Sequence, residues 1–180
     1  MIERKIFLLN IFFNTLIFVI CCAIGYYHAH DYRCRVVNLQ SFLNGLKNLE
    51  DEILYRKTPL PEAMKVISEE KANHAAKELF SKVSEDLIGK SNCSFIESWI
   101  KYTEELGESC SFTTEDIYTI NELGKGLGGT DVHGQSTVIQ RAYKQIEKQL
   151  EEAVEENNSK GKMYKGLGIA IGLTLVIILI

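Results

Sequence analysis

The two ends of this chain are apolar and its middle is not, which restricts the architectures open to it. Ile6 to Tyr27 is a run of 22 residues without a charge, broken only by Asn10, Asn14 and Thr15. As helix it would extend about 33 Å, enough to cross the hydrocarbon core of a bilayer. Met163 to Ile180 is an 18-residue run whose one charge is Lys165. It would extend about 27 Å, and a lysine near its start can reach the interface along its own alkyl stem. Both runs are read as transmembrane helices, at 6–27 and 163–180, with a domain at 28–160 on one side of the membrane. The rival for the first run is a cleaved signal peptide, because Arg4 and Lys5 make a basic start and Cys21-Cys22-Ala23 offers small residues. Ile20 before Cys21 does not suit a lipoprotein cleavage site, and the retained helix is the reading adopted.

Charge follows the same division. Residues 31–159 hold 15 basic and 23 acidic residues, whereas the ends hold five basic residues and one acid. An acidic middle argues against nucleic acid as a partner, since phosphate contacts require a basic face. The basic residues flank the apolar runs, as they do at a membrane surface, so lipid is a natural partner. Arg33, Arg35, Lys160, Lys162 and Lys165 stand on the domain side, and Arg4 and Lys5 on the other. That asymmetry favours a cytoplasmic domain. The five cysteines, Cys21, Cys22, Cys34, Cys93 and Cys110, form no CxxC. An odd number without paired spacing fits free thiols in a reducing compartment.

Within the domain the periodicity is helical throughout. Leu39, Phe42, Leu43, Leu46, Leu49, Ile53 and Leu54 form one stripe that continues the first apolar helix into water. The stripe ends in the stretch LEDEILYRKTPL, residues 49–60. Here Thr58 can cap a second helix and Pro59 suits its first position, where a missing N–H costs nothing. The second helix places Leu60, Ala63, Met64 and Ile67 inward. Asn73 caps a third, with Ala76, Leu79, Phe80, Val83 and Leu87 inward and Gly89 as its stop. Ser94 and Glu97 form a capping box that opens a fourth, with Phe95, Ile96, Trp99, Ile100 and Leu106 inward and Gly107 closing it. Thr113 opens a fifth, with Ile117, Ile120, Leu123 and Leu127 inward. Thr130 or Asp131 caps a long sixth, in which Val138, Ile139, Ala142, Tyr143, Ile146, Leu150, Ala153 and Val154 keep the helical spacing. Asn157-Asn158-Ser159 marks a pause or a continuation into the last apolar run. The fold class is therefore all-α: about six helices in a bundle, between an N-terminal and a C-terminal transmembrane helix.

Chemistry-bearing motifs do not accumulate. Gly124-Lys-Gly-Leu-Gly-Gly129 matches GxGxxG, but a helical pattern precedes it instead of a strand. It reads as a helix end and turn whose small residues allow close helix approach, not as a phosphate loop. His28, His30 and Cys34 lack a further ligand at a metal-binding spacing, and His28 reads as part of an interfacial belt with Tyr26 and Tyr27. His28, His30, His74 and His133 are scattered, and no nucleophile motif, zinc-protease motif or Walker sequence is present. Neither an enzyme nor a cofactor is indicated.

Taken together, these features resemble the stage III sporulation protein AB family. The resemblance rests on the N-terminal span, on LEDEILYRKTPL with Ala63 after it, and on Trp99. It continues through Leu123-Gly124 with Leu127-Gly128, then Asp131 and Gln135, to the closing Lys162-Met163-Tyr164-Lys165-Gly166-Leu167-Gly168. It implies a non-enzymatic platform component of a multi-protein assembly in the outer forespore membrane, linking mother cell and forespore, with the domain facing the mother-cell cytoplasm. Family members look like the cytoplasmic helical domains of type II secretion and type IV pilus platform proteins, which dock a cytoplasmic ATPase. Carried onto this sequence, the docking candidates are Glu50, Glu52, Tyr55, Thr58 and Pro59 at the corner, with Asp131 and Gln135 at the start of the sixth helix. For the corner residues and Asp131, the plain alternative is that they only shape and cap the turn. The partners implied are an ATPase and other membrane components of the complex, with self-association left open. Alternatives are a platform of a secretion or pilus system outside sporulation, and a membrane-tethered regulator sensing a soluble ligand in a polar cavity.

Overall fold

The computed structural model describes residues 2–69, 74–89, 94–127, 129 and 132–179, and among them there is no strand. The helices are α1 (Ile2–Leu54), α2 (Leu60–Glu69), α3 (His74–Ile88), α4 (Phe95–Cys110), α5 (Thr114–Leu127), α6 (Val132–Glu156) and α7 (Lys162–Leu179). A π-helical turn at Asn157–Gly161 joins α6 to α7, so the expected pause is a widened turn inside continuous helix. The chain divides into two compact units: Cys34–Ala153, and Met1–Arg33 with Val154–Ile180.

The first unit is the helical bundle. The stripe of α1 is buried as its spacing requires, from Leu39 through Phe42, Leu46 and Leu49 to Ile53. It meets Ala63, Met64 and Ile67 of α2, Leu79, Phe80 and Val83 of α3, and Ile120, Leu123 and Leu127 of α5 in one core. Trp99 of α4 is fully buried between the rings of Phe80 and Phe95, with centroids 6.0 and 5.6 Å away. Its indole N–H donates to the Ile120 carbonyl at 2.9 Å, which satisfies the one polar group a buried tryptophan carries. Gly124, one turn further along α5, leaves the space the indole occupies; a Cβ there would overlap Trp99.

Helix ends follow local chemistry. Ser94 accepts from the Glu97 N–H at 3.3 Å and Glu97 accepts from the Ser94 N–H at 2.9 Å, the expected capping box. The Ser94 backbone N–H, and after it the Ser94 hydroxyl, hold the exposed Glu97 carboxyl below the usual carboxylate range. Asp116 and Thr113 form a second box at the start of α5, at 2.9 and 3.2 Å. The Gly89 N–H closes α3 onto the Glu85 carbonyl at 2.8 Å. Three expectations change. Gly107 does not end α4, which runs on to Cys110; it lies against Ile117, where small size and not flexibility is needed. Ile96 and Val154 are each 39% exposed, so neither faces the core. Gly124 and Gly126 lie inside α5, and the helix ends only at Leu127. The expected caps Asn73, Thr130 and Asp131 lie outside the described residues, as does Cys93.

The second unit is a close antiparallel pair formed by the start of α1 and α7. A Cβ on Gly25 would come within 2.7 Å of the Tyr164 carbonyl oxygen and 3.0 Å of Gly168 Cα. One on Gly168 would come within 2.9 Å of the Cys21 carbonyl oxygen. The two backbones thus touch where both lack side chains, the arrangement small-xxx-small spacing produces when helices pack in an apolar medium. Gly25-xxx-Ala29 and Gly168-xxx-Gly172 supply that spacing. At one end Tyr164 packs against His28 and Tyr32, with ring centroids 5.5 and 6.0 Å away, and the Lys165 ammonium sits 5.4 Å from the Tyr26 ring. Phe13, Val19 and Ile24 on α1, and Ile169, Ile171 and Ile177 on α7, point outward. Both helices are long and apolar enough to cross a membrane by length and composition.

Two substitutions check this packing. Gly124→Ala is expected to destabilise the bundle by about 2 kcal/mol or more, because the hydrogen-bonded indole cannot yield. The measurement is denaturant unfolding of the detergent-solubilised protein, followed by the fluorescence of its one tryptophan. A Cβ on Gly172 would lie 3.3 Å from Cys21 Cβ, close to the separation a disulfide spans. Gly172→Cys, oxidised with copper phenanthroline, should therefore give an intramolecular crosslink on a non-reducing gel that Cys21→Ala abolishes. No crosslink would mean the helices do not pair in this register.

The corner between the first and second helices as candidate docking site

The corner is built from the carboxylate of Glu52 outward. Leu49 and Ile53 anchor the last turns of α1 in the core, and this places Glu52 at the buried margin, 8% exposed. One of its oxygens accepts from the Thr58 hydroxyl at 3.0 Å and the other from the Arg56 guanidinium at 2.6 Å. Its backbone carbonyl accepts from the Thr58 N–H at 3.1 Å. Between these two ends of the brace the chain turns through Lys57 in a left-handed conformation, φ 56°. A non-glycine residue there is held against its own preference, and the Glu52–Thr58 bonds hold it.

Thr58 therefore does not cap α2 as the sequence suggests; its hydroxyl donates backward to Glu52. Pro59 stands one position earlier than expected, just before Leu60, where its carbonyl accepts from the Ala63 N–H at 2.9 Å. Pro61 occupies the first turn instead, where an N–H would have no intrahelical partner. Glu50 is half-buried, and one of its oxygens accepts from Ser136 and Gln140 of α6, each at 2.8 Å. It ties the end of α1 to α6. Gln135 is also half-buried, and its side-chain amide donates to the Leu127 carbonyl at 3.4 Å, satisfying an orphan acceptor at the end of α5. Asp131 lies outside the described residues.

The residues read from the sequence as one docking face thus divide by role. Glu50, Glu52, Thr58 and Gln135 are engaged within the bundle. Tyr55 is 80% exposed and Pro59 is exposed beside it. Asp51, Arg56 and Lys57 are exposed around them and escaped the sequence reading. The signal for them was available, since the side of the turn opposite the stripe must face outward.

Elsewhere among the described residues no group of three or more His, Cys, Asp or Glu side chains is placed to hold a metal ion. The His28 ring packs against Tyr27 and Tyr164. Cys21, Cys22, Cys34 and Cys110 form no disulfide, and burial pushes the Cys110 thiol up from its usual range.

These features define a class: a helical bundle whose chain ends are helices of membrane-spanning length and apolarity, with a braced, aromatic-tipped corner. The family model of stage III sporulation protein AB matches residues 10–180, and the chain belongs to that family. It is similar to Stage III sporulation protein AB of Bacillus subtilis (strain 168), with 28% identity over 155 residues, covering 86% of this chain and 90% of that protein. A solved structure of Stage III sporulation protein AB (SpoIIIAB) is also similar, with a TM-score of 0.61 and 25% identity. The likeness covers 69% of this chain and 96% of the solved one.

The brace carries a stability prediction. Glu52→Ala removes both side-chain bonds and should cost about 1–3 kcal/mol. Thr58→Val should cost less, and the double variant less than the sum, because each residue uses the other. Tyr55→Ala should leave stability within about 0.5 kcal/mol of the parent, as for exposed residues away from such features. Denaturant midpoints of the parent and the four variants decide it; strict additivity of Glu52→Ala and Thr58→Val would remove the brace.

Proposed function

We propose that this chain is a non-enzymatic, membrane-anchored adaptor in a sporulation-specific secretion or channel complex between mother cell and forespore. Its bundle docks a cytoplasmic ATPase at the α1–α2 corner. The observation that carries the reading is Tyr55. A large aromatic side chain stands in solvent at the tip of a turn that Glu52 fixes from behind. A tyrosine on an immobile support loses little entropy when a partner covers it, and such residues dominate interface energetics. Family membership supplies the biological setting.

The remaining roles follow from position. Glu50, Glu52 and Thr58 keep the corner in shape, and Pro59 and Tyr55 present its surface. Asp131 and Gln135 are kept as a further part of the docking face, with Gln135 bound to the end of α5. The two apolar helices span the outer forespore membrane, and the bundle faces the mother-cell cytoplasm. The excess of basic residues on the domain side supports that orientation even with Arg35 set aside, because Arg33, Lys160, Lys162 and Lys165 still outnumber Arg4 and Lys5. Coupling is positional: the partner's movement passes through helices into the membrane assembly, and other membrane components of the complex share the load.

The test is a photoreactive amino acid at Tyr55 in sporulating cells, with the captured proteins identified by mass spectrometry. Capture of a cytoplasmic ATPase is expected, and Glu52→Ala should reduce it at least several-fold in protein that still reaches the membrane. Capture of only extracytoplasmic proteins would put the bundle on the other side of the membrane and end the adaptor reading.

A further inference from the structure

A second surface lies on the bundle away from these residues. Between α5 and α6 runs a groove of about 740 Å³. Its floor is small and apolar: Leu123 and Gly126 of α5 face Val138 and Ala142 of α6. Gly126 sets the closeness of the two helices, because a Cβ there would meet Val138 within 2.5 Å. Tyr118, 64% exposed, stands at the side.

The charge of the groove runs against that of the protein. The chain as a whole is at −4, but the groove is lined by Lys125, Arg141 and Lys144 against one acid, Glu122. Glu122 is taken by Lys125, at 2.8 Å. No ion pair among the described residues involves Arg141 or Lys144, and both are exposed. They stand at i and i+3 on α6, so they flank one side of the apolar strip.

We propose that the α5–α6 groove binds an acidic amphipathic helix of a partner protein. An apolar strip bordered by unneutralised cations suits a helix that lays Leu-like residues on the floor and turns carboxylates toward Arg141 and Lys144. Tyr118 and Arg141 are residue types that carry much of the energy in such contacts. A second copy of this chain fits less well. The acidic residues of α6, Glu147, Glu151, Glu152, Glu155 and Glu156, are centred about ten residues further along the same helix than Arg141 and Lys144. Two copies anchored in one membrane would have to slide past each other by about 15 Å to bring them together. The groove shares no residue with the α1–α2 corner, so this site stands whether or not an ATPase docks there.

The experiment uses the full chain in neutral-lipid nanodiscs and two fluorescent, end-capped helical peptides of about four turns. One carries a leucine stripe flanked by Glu, and the other has Lys in place of every Glu. Anisotropy titration is expected to show the Glu peptide binding at least tenfold tighter than the Lys peptide. R141E/K144E should reverse that preference. Because the reversed variant gains affinity for the Lys peptide, its result does not reduce to misfolding. Tyr118→Ala should weaken the Glu peptide at least threefold without altering the preference. Equal binding of both peptides overturns the proposal, as does no binding of either. A Glu preference that survives R141E/K144E overturns it too, and so does self-association of the protein that R141E/K144E abolishes while the Glu peptide fails to bind.

Discussion

The arrangement of this bundle depends on one buried ion pair. Asp116 is fully buried, and its two oxygens accept from Arg35 Nε at 2.8 Å and Nη2 at 3.0 Å. The same carboxylate accepts from the Thr113 N–H at the start of α5. Taking these charges out of water costs several kcal/mol each, and only two-pronged geometry with every acceptor used offsets it. What the pair secures is register. Arg35 can meet Asp116 at one rotation and one height of α1, so the entry of α5 is fixed against the first long helix. Trp99 and Gly124 then fix α4 against α5, and Gln149 of α6 donates to Thr119 of α5 at 2.9 Å.

Whether a residue's role was legible in the sequence depended on the range of the interaction that sets it. Apolar stripes are local, so the inward faces of α2 and α3 emerge from spacing alone. Capping boxes are local too, and Ser94 with Glu97 behaves as read. Arg35 illustrates the intermediate case. It stands four residues before Leu39 on the same face, so the helical period places it inward. Its charge argued for a membrane flank, and only the packing of an acid 81 residues away resolves the conflict. The corner is the opposite case. A hydroxyl that reaches back six residues across a left-handed lysine follows no period, and a threonine before a proline invites the capping reading instead.

The glycines make the same point from the side of absence. Gly107, Gly124 and Gly126 sit where stop signals are normally found, and all three are inside helices because a neighbour needs the volume. Glycine ends a helix when backbone freedom is what the site requires, and it continues one when bulk is forbidden. A single sequence does not separate these cases unless a second small residue stands one turn away, as in Gly168-xxx-Gly172. That spacing marks the contact of α7 with α1, where the two backbones meet without side chains.

The braced corner and the α5–α6 groove differ in how their charge is distributed. Glu50 and Glu52 lie where an acidic docking face was expected, yet one oxygen of Glu50 is held by Ser136 and Gln140, and the two oxygens of Glu52 are taken by Thr58 and Arg56. They contribute shape at the corner, and little charge is left to steer a partner. What is offered to solvent there is an aromatic tip with one acid and two bases around it, Asp51 against Arg56 and Lys57. Such a mixed surface projects little net field, because oppositely charged neighbours cancel beyond a Debye length of about 8 Å. Arg141 and Lys144 form no ion pair among the described residues. In a protein whose net charge is negative, the α5–α6 groove thus carries three cations against one acid, while the corner carries charges of both signs.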